Sequence, residues 1–279
     1  MTISRITSLT FVLALGVAAS ACGGDKSDSS GDDGTTAGEG EGEGEGEGEG
    51  EGEGEGEGAA GGQVRLAHFG VFPMDANTEV DVYVDGRNSY TFGFKETSIY
   101  VPLPAGTYKF DIVPTGADIS EAVLTVPEFA VADGDAFSVY AAGYVDSAAD
   151  GSALSIGAFA EDTSDLEAGK VRVTVVHAAA AAAFSPVDVW VVDDGCAPDS
   201  PLLTDFNFGD NGSVDLDGTA VNVGLDAGQD GTVDACFKIP AVEGVADKVV
   251  TVYAVNTDAG VPSLVAHLPD GSNAEIPAE

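Results

Sequence analysis

The stretch Val80-Asp81-Val82-Tyr83-Val84-Asp85-Gly86 decides the fold of this chain. Its valines alternate with polar and aromatic residues, so an extended strand places the valines on one face and Asp81, Tyr83 and Asp85 on the other. The closing Asp-Gly pair is typical of a turn. The pattern predicts a β-strand that buries its valine face.

A second copy of this pattern lies further along the chain, at Val187-Asp188-Val189-Trp190-Val191. Each copy follows a Val-Arg segment that ends in a histidine, His68 in the first and His177 in the second. Each also precedes a Val-Tyr-Ala segment, at 139–141 and 252–254. Because the same signals recur in the same order, we predict two homologous domains, at 63–165 and 168–279.

Turn signals recur about every 8–12 residues in copies of about 100–110 residues, which is typical of an immunoglobulin-like sandwich. We therefore predict an all-β chain with two tandem immunoglobulin-like β-sandwich domains. Pro104-Ala105-Gly106 and Asp217-Gly218 are interpreted as hairpin turns. The alanine run 178–183 predicts either a short helix or a loop.

The first 21 residues carry one basic residue and then an apolar run that is too short to span a bilayer comfortably, so 1–21 is interpreted as a signal peptide. The segment Ala19-Ser20-Ala21-Cys22 resembles the lipobox of bacterial lipoproteins, which implies lipidation at Cys22 and, because two glycines follow, an outer-membrane destination. An ordinary secretory signal with a chance cysteine is the alternative.

Residues 22–62 form the lipidated N-terminus and an acidic linker with a strict Glu-Gly alternation, which we expect to be disordered because nothing in it can be buried. The net charge of the chain is -38. From Gln63 onward 34 acidic residues stand against 8 basic ones. Such a surface repels phosphate backbones, so nucleic acid is excluded as a partner.

Two further cysteines, Cys196 and Cys236, are interpreted as a disulfide, because an exported chain meets an oxidising compartment. A reactive or metal-binding pair is the alternative. The two strand-end histidines, His68 and His177, are interpreted as structural groups bonded to the following loop or to a carboxylate, with metal binding or pH sensing as the alternative. His267 is expected to serve packing.

Two sets of residues are candidates for ligand binding. Asp226, Asp230 and Asp234 partly resemble a calcium loop, with Asp205, Asp210, Asp215 and Asp217 close upstream, although Asp- and Gly-rich turns explain the same residues. Tyr83 and Trp190 point away from the valine faces, where they either stack on a ligand such as a sugar or cover neighbouring loops. No other cofactor is expected.

The Val-Arg strand ending in histidine, the Val-Asp-Val-Tyr-Val-Asp-Gly strand and the segment Val101-Pro102-Leu103-Pro104-Ala105-Gly106-Thr107-Tyr108 resemble a bacterial family known as domain of unknown function 4397. The second copy departs from it, with Trp190 in place of tyrosine and no Pro-Ala-Gly turn. The resemblance implies an extracellular β-domain that often occurs in tandem, and it implies no known activity.

Hydrolase, metalloprotease and phosphate-binding motifs are absent from the sequence, so we expect no enzyme. The hypothesis is a lipid-anchored outer-membrane or cell-surface protein that displays two binding or adhesion modules on an acidic tether. A glycan or a matrix protein is the expected partner, besides the membrane itself. The alternatives are a structural envelope or matrix component that acts through cation bridging and, third, a hydrolase.

Overall fold

The computed structural model describes residues 61–72, 78–146, 151–217, 220–241, 248–257 and 260–279. In these residues the chain forms 17 β-strands in four sheets, with two short 3₁₀ helices and no α-helix. The predicted all-β sandwich fold is confirmed. The predicted signal peptide, the lipidation site Cys22 and the Glu-Gly linker lie outside the described residues.

The first sandwich is built from eight strands, which together include the opening valine pattern. They are β1 (Gly61–Val71), β2 (Val80–Val84), β3 (Arg87–Phe92), β4 (Val101–Pro104), β5 (Gly106–Pro114), β6 (Leu124–Val131), β7 (Ala136–Tyr144) and β8 (Ser155–Ala160). One sheet has the order β4-β1-β7-β8 and the other β3-β2-β5-β6. The alternating valines of β2 enter the core between these sheets, as the pattern predicts.

The second sandwich repeats this arrangement with nine strands. They are β9 (Lys170–His177), β10 (Val187–Val192), β11 (Pro198–Phe206), β12 (Asn211–Asp217), β13 (Val221–Asp226), β14 (Ala235–Ile239), β15 (Val249–Val255), β16 (Ser263–His267) and β17 (Asn273–Ile276). Its sheets have the orders β12-β9-β15-β16-β17 and β11-β10-β13-β14. The alanine run contributes three buried residues and then a 3₁₀ helix, Ala182–Phe184, rather than one helix.

Strand register makes the two sandwiches directly comparable. β1 pairs in parallel with β7, and β9 pairs in parallel with β15. Val64 therefore faces Phe137 across one pair of strands, and Val173 faces Val250 across the other. Corresponding core positions can thus be identified from hydrogen-bonded partners rather than from sequence similarity.

The two predicted hairpins are wrong. β4 pairs with β1 whereas β5 pairs with β2, so the Pro104-Ala105-Gly106 turn connects the two sheets of the sandwich. In the same way β12 pairs with β9, and β13 pairs with β10. A turn signal marks where a strand ends but not which partner the next strand takes. Proline lacks an N–H group, which suits the edge position of β4.

The two sandwiches form a complete structural unit. β1 begins at Gly61, inside the predicted linker, because Gly61 and Gly62 pair with Pro104 and Leu103 of β4. Contacts place Ala59–Glu279 in one compact unit, which contains every described strand and both sandwich cores. Of the described residues, none belongs to a helix long and apolar enough to cross a membrane. The fragment 59–279 therefore contains both sandwich cores and the apolar cluster between them.

Candidate functional site

The sheet faces that turn away from the two sandwich cores meet each other. The rings of Phe69 and Tyr253, one from each sandwich, have centroids 4.7 Å apart, and Tyr140 lies 5.5 Å from the same Tyr253 ring. Both sandwiches contribute to this buried apolar cluster, which consists of Ala67, Phe69, Tyr140, Ala142, Val176, Ala178, Tyr253, Val255 and Val265. Burial raises the pKa of Tyr253 to about 12. The sandwiches are therefore joined by a third core.

Arg65 is the charged centre of this interface. Its guanidinium is 1% exposed and donates to Glu161 at 2.5 Å and to Thr251 of the second sandwich at 2.5 Å. The Tyr100 ring lies 5.0 Å from the guanidinium, and the Tyr100 hydroxyl donates to Glu161. A buried charge needs such partners, because water is no longer available to solvate it. Arg65 thus links the two sandwiches through groups that cannot reach solvent.

The two strand-end histidines lie in corresponding places, and each bonds the loop that follows it. His68 Nε2 lies 3.0 Å from the Thr78 carbonyl oxygen, and His177 Nε2 contacts the Phe184 carbonyl oxygen. His68 Nδ1 also accepts from the Gly70 amide at 3.4 Å. His177 Nδ1, in contrast, is buried with no hydrogen-bond partner among the described residues. Burial lowers the pKa of both imidazoles.

His267 has a role that the sequence did not indicate. It is fully buried, and its Nε2 lies 2.7 Å from the Ser98 carbonyl oxygen of the first sandwich. Burial, assisted by the nearby positive charge of Arg65, lowers its pKa to about 4. His267 therefore belongs to the interface between the sandwiches.

The acidic loop after β13 directs its carboxylates at its own backbone. Asp226 accepts from the amides of Asp230 and Gly231, and Asp234 accepts from the amide of Ala227 at 2.8 Å. Of the four upstream aspartates, Asp205 accepts from Gln229 of this loop, whereas Asp210, Asp215 and Asp217 have Asn207, Arg172 and Lys170 as their respective partners. No group of three or more metal-binding side chains occurs in the described part of the chain. Calcium binding stays a prediction.

The two candidate ligand-facing aromatics are both half-buried on outer sheet faces. Tyr83 lies opposite Asn88 and Asp111 in the register, whereas Trp190 lies between Pro201 and Gly224. The indole N–H of Trp190 is buried and has no partner among the described residues. Ligand binding by these two rings stays a prediction.

A disulfide joins the loop after β10 to β14. It links Cys196 to Cys236 with the Cα atoms 6.2 Å apart, as the sequence predicts. The register places Trp190, Gly224 and Cys236 side by side across the outer sheet face. Glycine is required at position 224, since a Cβ atom there would lie only 2.7 Å from side-chain atoms of Val192 and Val233. The disulfide is thus part of the second sandwich alone.

The interior of the second sandwich contains an apolar cavity of about 220 Å³. It extends between the two sheets and is lined by the inward valines of β9 and by residues such as Val189, Val223, Val252 and Leu264. Among the described residues that line it, His177 and Asp217 are the only charged or titratable ones. The corresponding space of the first sandwich measures about 40 Å³. This cavity is the larger of the two and is the candidate binding site.

The cavity has an identifiable cause in the sequence. In the first sandwich Phe110, Phe129 and Phe137 pack edge to face, with ring centroids 5.6 and 5.3 Å apart. The register assigns Val223, Ile239 and Val250 to the same places in the second sandwich. Three aromatic rings are replaced by smaller aliphatic side chains, whereas Phe237 takes the place of Val126, so the second sandwich has two rings fewer at these positions. An alignment of the two copies could have found this loss, but only with the strand register in hand.

Comparison with known proteins gives one family match. Residues 63–190 match the family model described as "Domain of unknown function (DUF4397)". The match covers the first sandwich and continues through β9 into β10. No curated protein matches the chain.

Two similar solved structures come from streptococcal proteins. One, "Alpha-glucan recognition by family 41 carbohydrate-binding modules from streptococcal virulence factors", is 10% identical over 70% of this chain and 94% of that chain, with a TM-score of 0.23. The other, "Alpha-glucan binding by a streptococcal virulence factor", is 11% identical over 69% and 92%, with a TM-score of 0.22. TM-scores this low support no conclusion about fold or ligand.

Proposed function

We propose that this chain is a non-enzymatic, lipid-anchored surface protein that presents its paired sandwiches as one rigid binding body. The observation that carries the proposal is the buried interface around Arg65, which joins the two modules into a single unit. Two modules joined in this way have one fixed geometry, so a ligand that spans them meets a preorganised surface. The predicted lipid at Cys22 and the acidic tether would hold that body away from the membrane.

The described chemistry supports binding rather than catalysis. All three histidines are buried and bonded to backbone carbonyl oxygens, and the cavity of the second sandwich is apolar. A general base must reach a substrate proton directly or through one water molecule. His68 has both ring nitrogens engaged, and the remaining nitrogen of His177 and of His267 has no access to the protein surface.

Two experiments test the proposal. Mass spectrometry of the native protein should show an acylated Cys22 at the N-terminus, and Cys22→Ser should release the protein from the membrane. The fragment 59–279, applied to glycan and matrix-protein arrays, should show saturable binding to one ligand class. An unmodified N-terminus would contradict the anchoring, and the absence of any saturable ligand would contradict the binding function.

A structural role through cation bridging is the second candidate, and one observation favours it. Six of the eight basic residues after Gln63 are already held in ion pairs. The surface therefore presents mainly unneutralised carboxylates to its surroundings. Calcium-dependent self-association of the fragment 59–279, without a saturable ligand, would favour this alternative over the binding body.

A further inference from the structure

The cavity of the second sandwich is elongated along one strand. Its wall includes all four inward residues of β9, from Val171 to His177, a span of about 20 Å at the usual rise of a strand. Around His177 the neighbouring wall residues, such as Phe206 and Ala254, are buried. Around Val171 the wall includes exposed and half-exposed residues: Leu216, Asp217, Val221, Ile239 and Pro240. Among the described residues, the cavity is therefore enclosed at His177, whereas the wall at the other end includes side chains that reach the surface.

The closed end holds an unused hydrogen-bond acceptor. A carbonyl oxygen can only accept, so His177 Nε2 must carry the proton that it donates to Phe184. In the neutral ring Nδ1 is then a bare acceptor, and it has no partner among the described residues although His177 is only 2% exposed. In the first sandwich the same atom of His68 is occupied by the Gly70 amide. Buried polar atoms are normally paired, so this one points to a missing donor.

The residues that line the cavity restrict which kind of ligand can supply that hydrogen-bond donor. Apart from its two ends the cavity is aliphatic, so the rest of the ligand must be apolar. A carboxylate would lose its hydration without gaining a cation, because none of the described residues that line the cavity is a lysine or an arginine. The chain is also strongly acidic, which disfavours anions at the entrance. A neutral ligand with one donor group fits these conditions.

We propose that the second sandwich binds a linear aliphatic alcohol in this cavity, with the hydroxyl group donating to His177 Nδ1. An apolar cavity of about 150 Å³ is known to bind benzene, so 220 Å³ is ample for a small ligand. At about 30 Å³ for a water-sized group, the space corresponds to roughly seven heavy atoms. The length of the cavity favours a chain over a ring. The cavity is separate from the ligand-binding surface of the paired sandwiches proposed above. An experiment can therefore refute one proposal without refuting the other.

The first test uses the fragment 59–279 and 1-hexanol as the probe. Calorimetry should show saturable binding with one site, and Val250→Phe, which restores the residue of the first sandwich, should weaken it at least tenfold. Phe137→Leu, at the corresponding position of the first sandwich, is the matched control and should leave the affinity unchanged. No saturable binding, or equal binding by Val250→Phe, would overturn the proposal.

The second test uses NMR on the unaltered fragment, so it stays decisive if Val250→Phe does not fold. Binding of 1-hexanol should shift the ¹⁵N resonance of His177 Nδ1 and the methyl signals of Val173 and Val252, while His68 stays unchanged. n-Hexane should bind about tenfold more weakly because it cannot make the hydrogen bond. Methyl shifts confined to the first sandwich, or an unmoved His177 resonance, would refute the assignment.

Discussion

The two sandwiches share a strand register but fill their interiors differently. The first packs Phe110, Phe129 and Phe137 into its core and keeps only about 40 Å³ of free space. The second replaces these rings with aliphatic side chains and contains about 220 Å³. Eight strands of the second sandwich correspond to those of the first, and β17 has no counterpart, so the two copies differ in side-chain volume and in one edge strand. One sandwich thus has a tightly packed core, whereas the other contains a cavity between its sheets.

The disulfide accompanies the cavity. At about 24 cal/mol per Å³, the extra space lowers the free energy of unfolding by about 4 kcal/mol. A bond that closes a 40-residue loop contributes about 3–4 kcal/mol in the chain-entropy treatment. The two effects are similar in size, and Cys196 and Cys236 both lie in the sandwich with the cavity. The disulfide therefore offsets the stability that the missing aromatic rings would have supplied.

The largest expected effect concerns the two Val-Arg arginines. Arg65→Ala leaves Glu161 buried without its cation and should lower the free energy of unfolding by about 3–5 kcal/mol. Arg172 pairs with Asp215 and Asp162, which are 44% and 36% exposed, so Arg172→Ala should cost only about 1 kcal/mol. Urea denaturation of both variants measures the difference. Equal losses would contradict the role of Arg65 as the buried link.

The next prediction removes the disulfide. Replacing both Cys196 and Cys236 by serine should lower the free energy of unfolding by about 3–4 kcal/mol. Comparing the variant with the reduced unaltered fragment separates the loss of the bond from the change in side chains. If neither treatment altered the urea midpoint, the disulfide would not compensate for the cavity.

The third prediction concerns pH. The buried His267 has a folded-state pKa of about 4 against an ordinary value of 6.5, so the unfolded chain binds more protons between these values. The contribution of His267 to the free energy of unfolding should therefore be complete above pH 6.5 and should fall by about 3 kcal/mol as the pH drops to 4. Denaturation series at pH 7 and 5 for the unaltered fragment and for His267→Gln provide the check. A loss of the same size in His267→Gln would show that other groups cause it.

The smallest effects are a reciprocal pair of core substitutions. Phe137→Val removes a ring from the first sandwich and should cost about 2 kcal/mol. Val250→Phe fills the cavity of the second and should raise the free energy of unfolding by about 1 kcal/mol. Thermal unfolding measures both. If Val250→Phe destabilised the fragment as much as Phe137→Val does, the space around Val250 would not be free to accept a ring.

The sequence could predict the strands, because period-two alternation and the recurring Val-Arg and Val-Asp-Val segments are local signals. It could also predict the disulfide, since export and two remaining cysteines leave few choices. It could not predict that Arg65, Phe69 and His267 meet across an interface, because those contacts join residues about 170–200 positions apart in the chain. Nor could the sequence predict which strand pairs with which on either side of a turn.

The sequence could not predict the cavity, for a different reason. Val223, Ile239 and Val250 are ordinary core residues when each is considered alone, and only their convergence in space shows that three rings are replaced together. His177 resembles His68 in the sequence, although the structure leaves its Nδ1 unpaired. Packing volume and hydrogen-bond satisfaction are properties of the assembled fold.

The central claim is that the two sandwiches differ in internal space, and a xenon-pressurised crystal of the fragment 59–279 tests it most directly. Xenon enters dry apolar cavities of this size. The account predicts xenon between the sheets of the second sandwich, beside Val175 and Val252, and none between those of the first. Xenon in both sandwiches, or in neither, would contradict it.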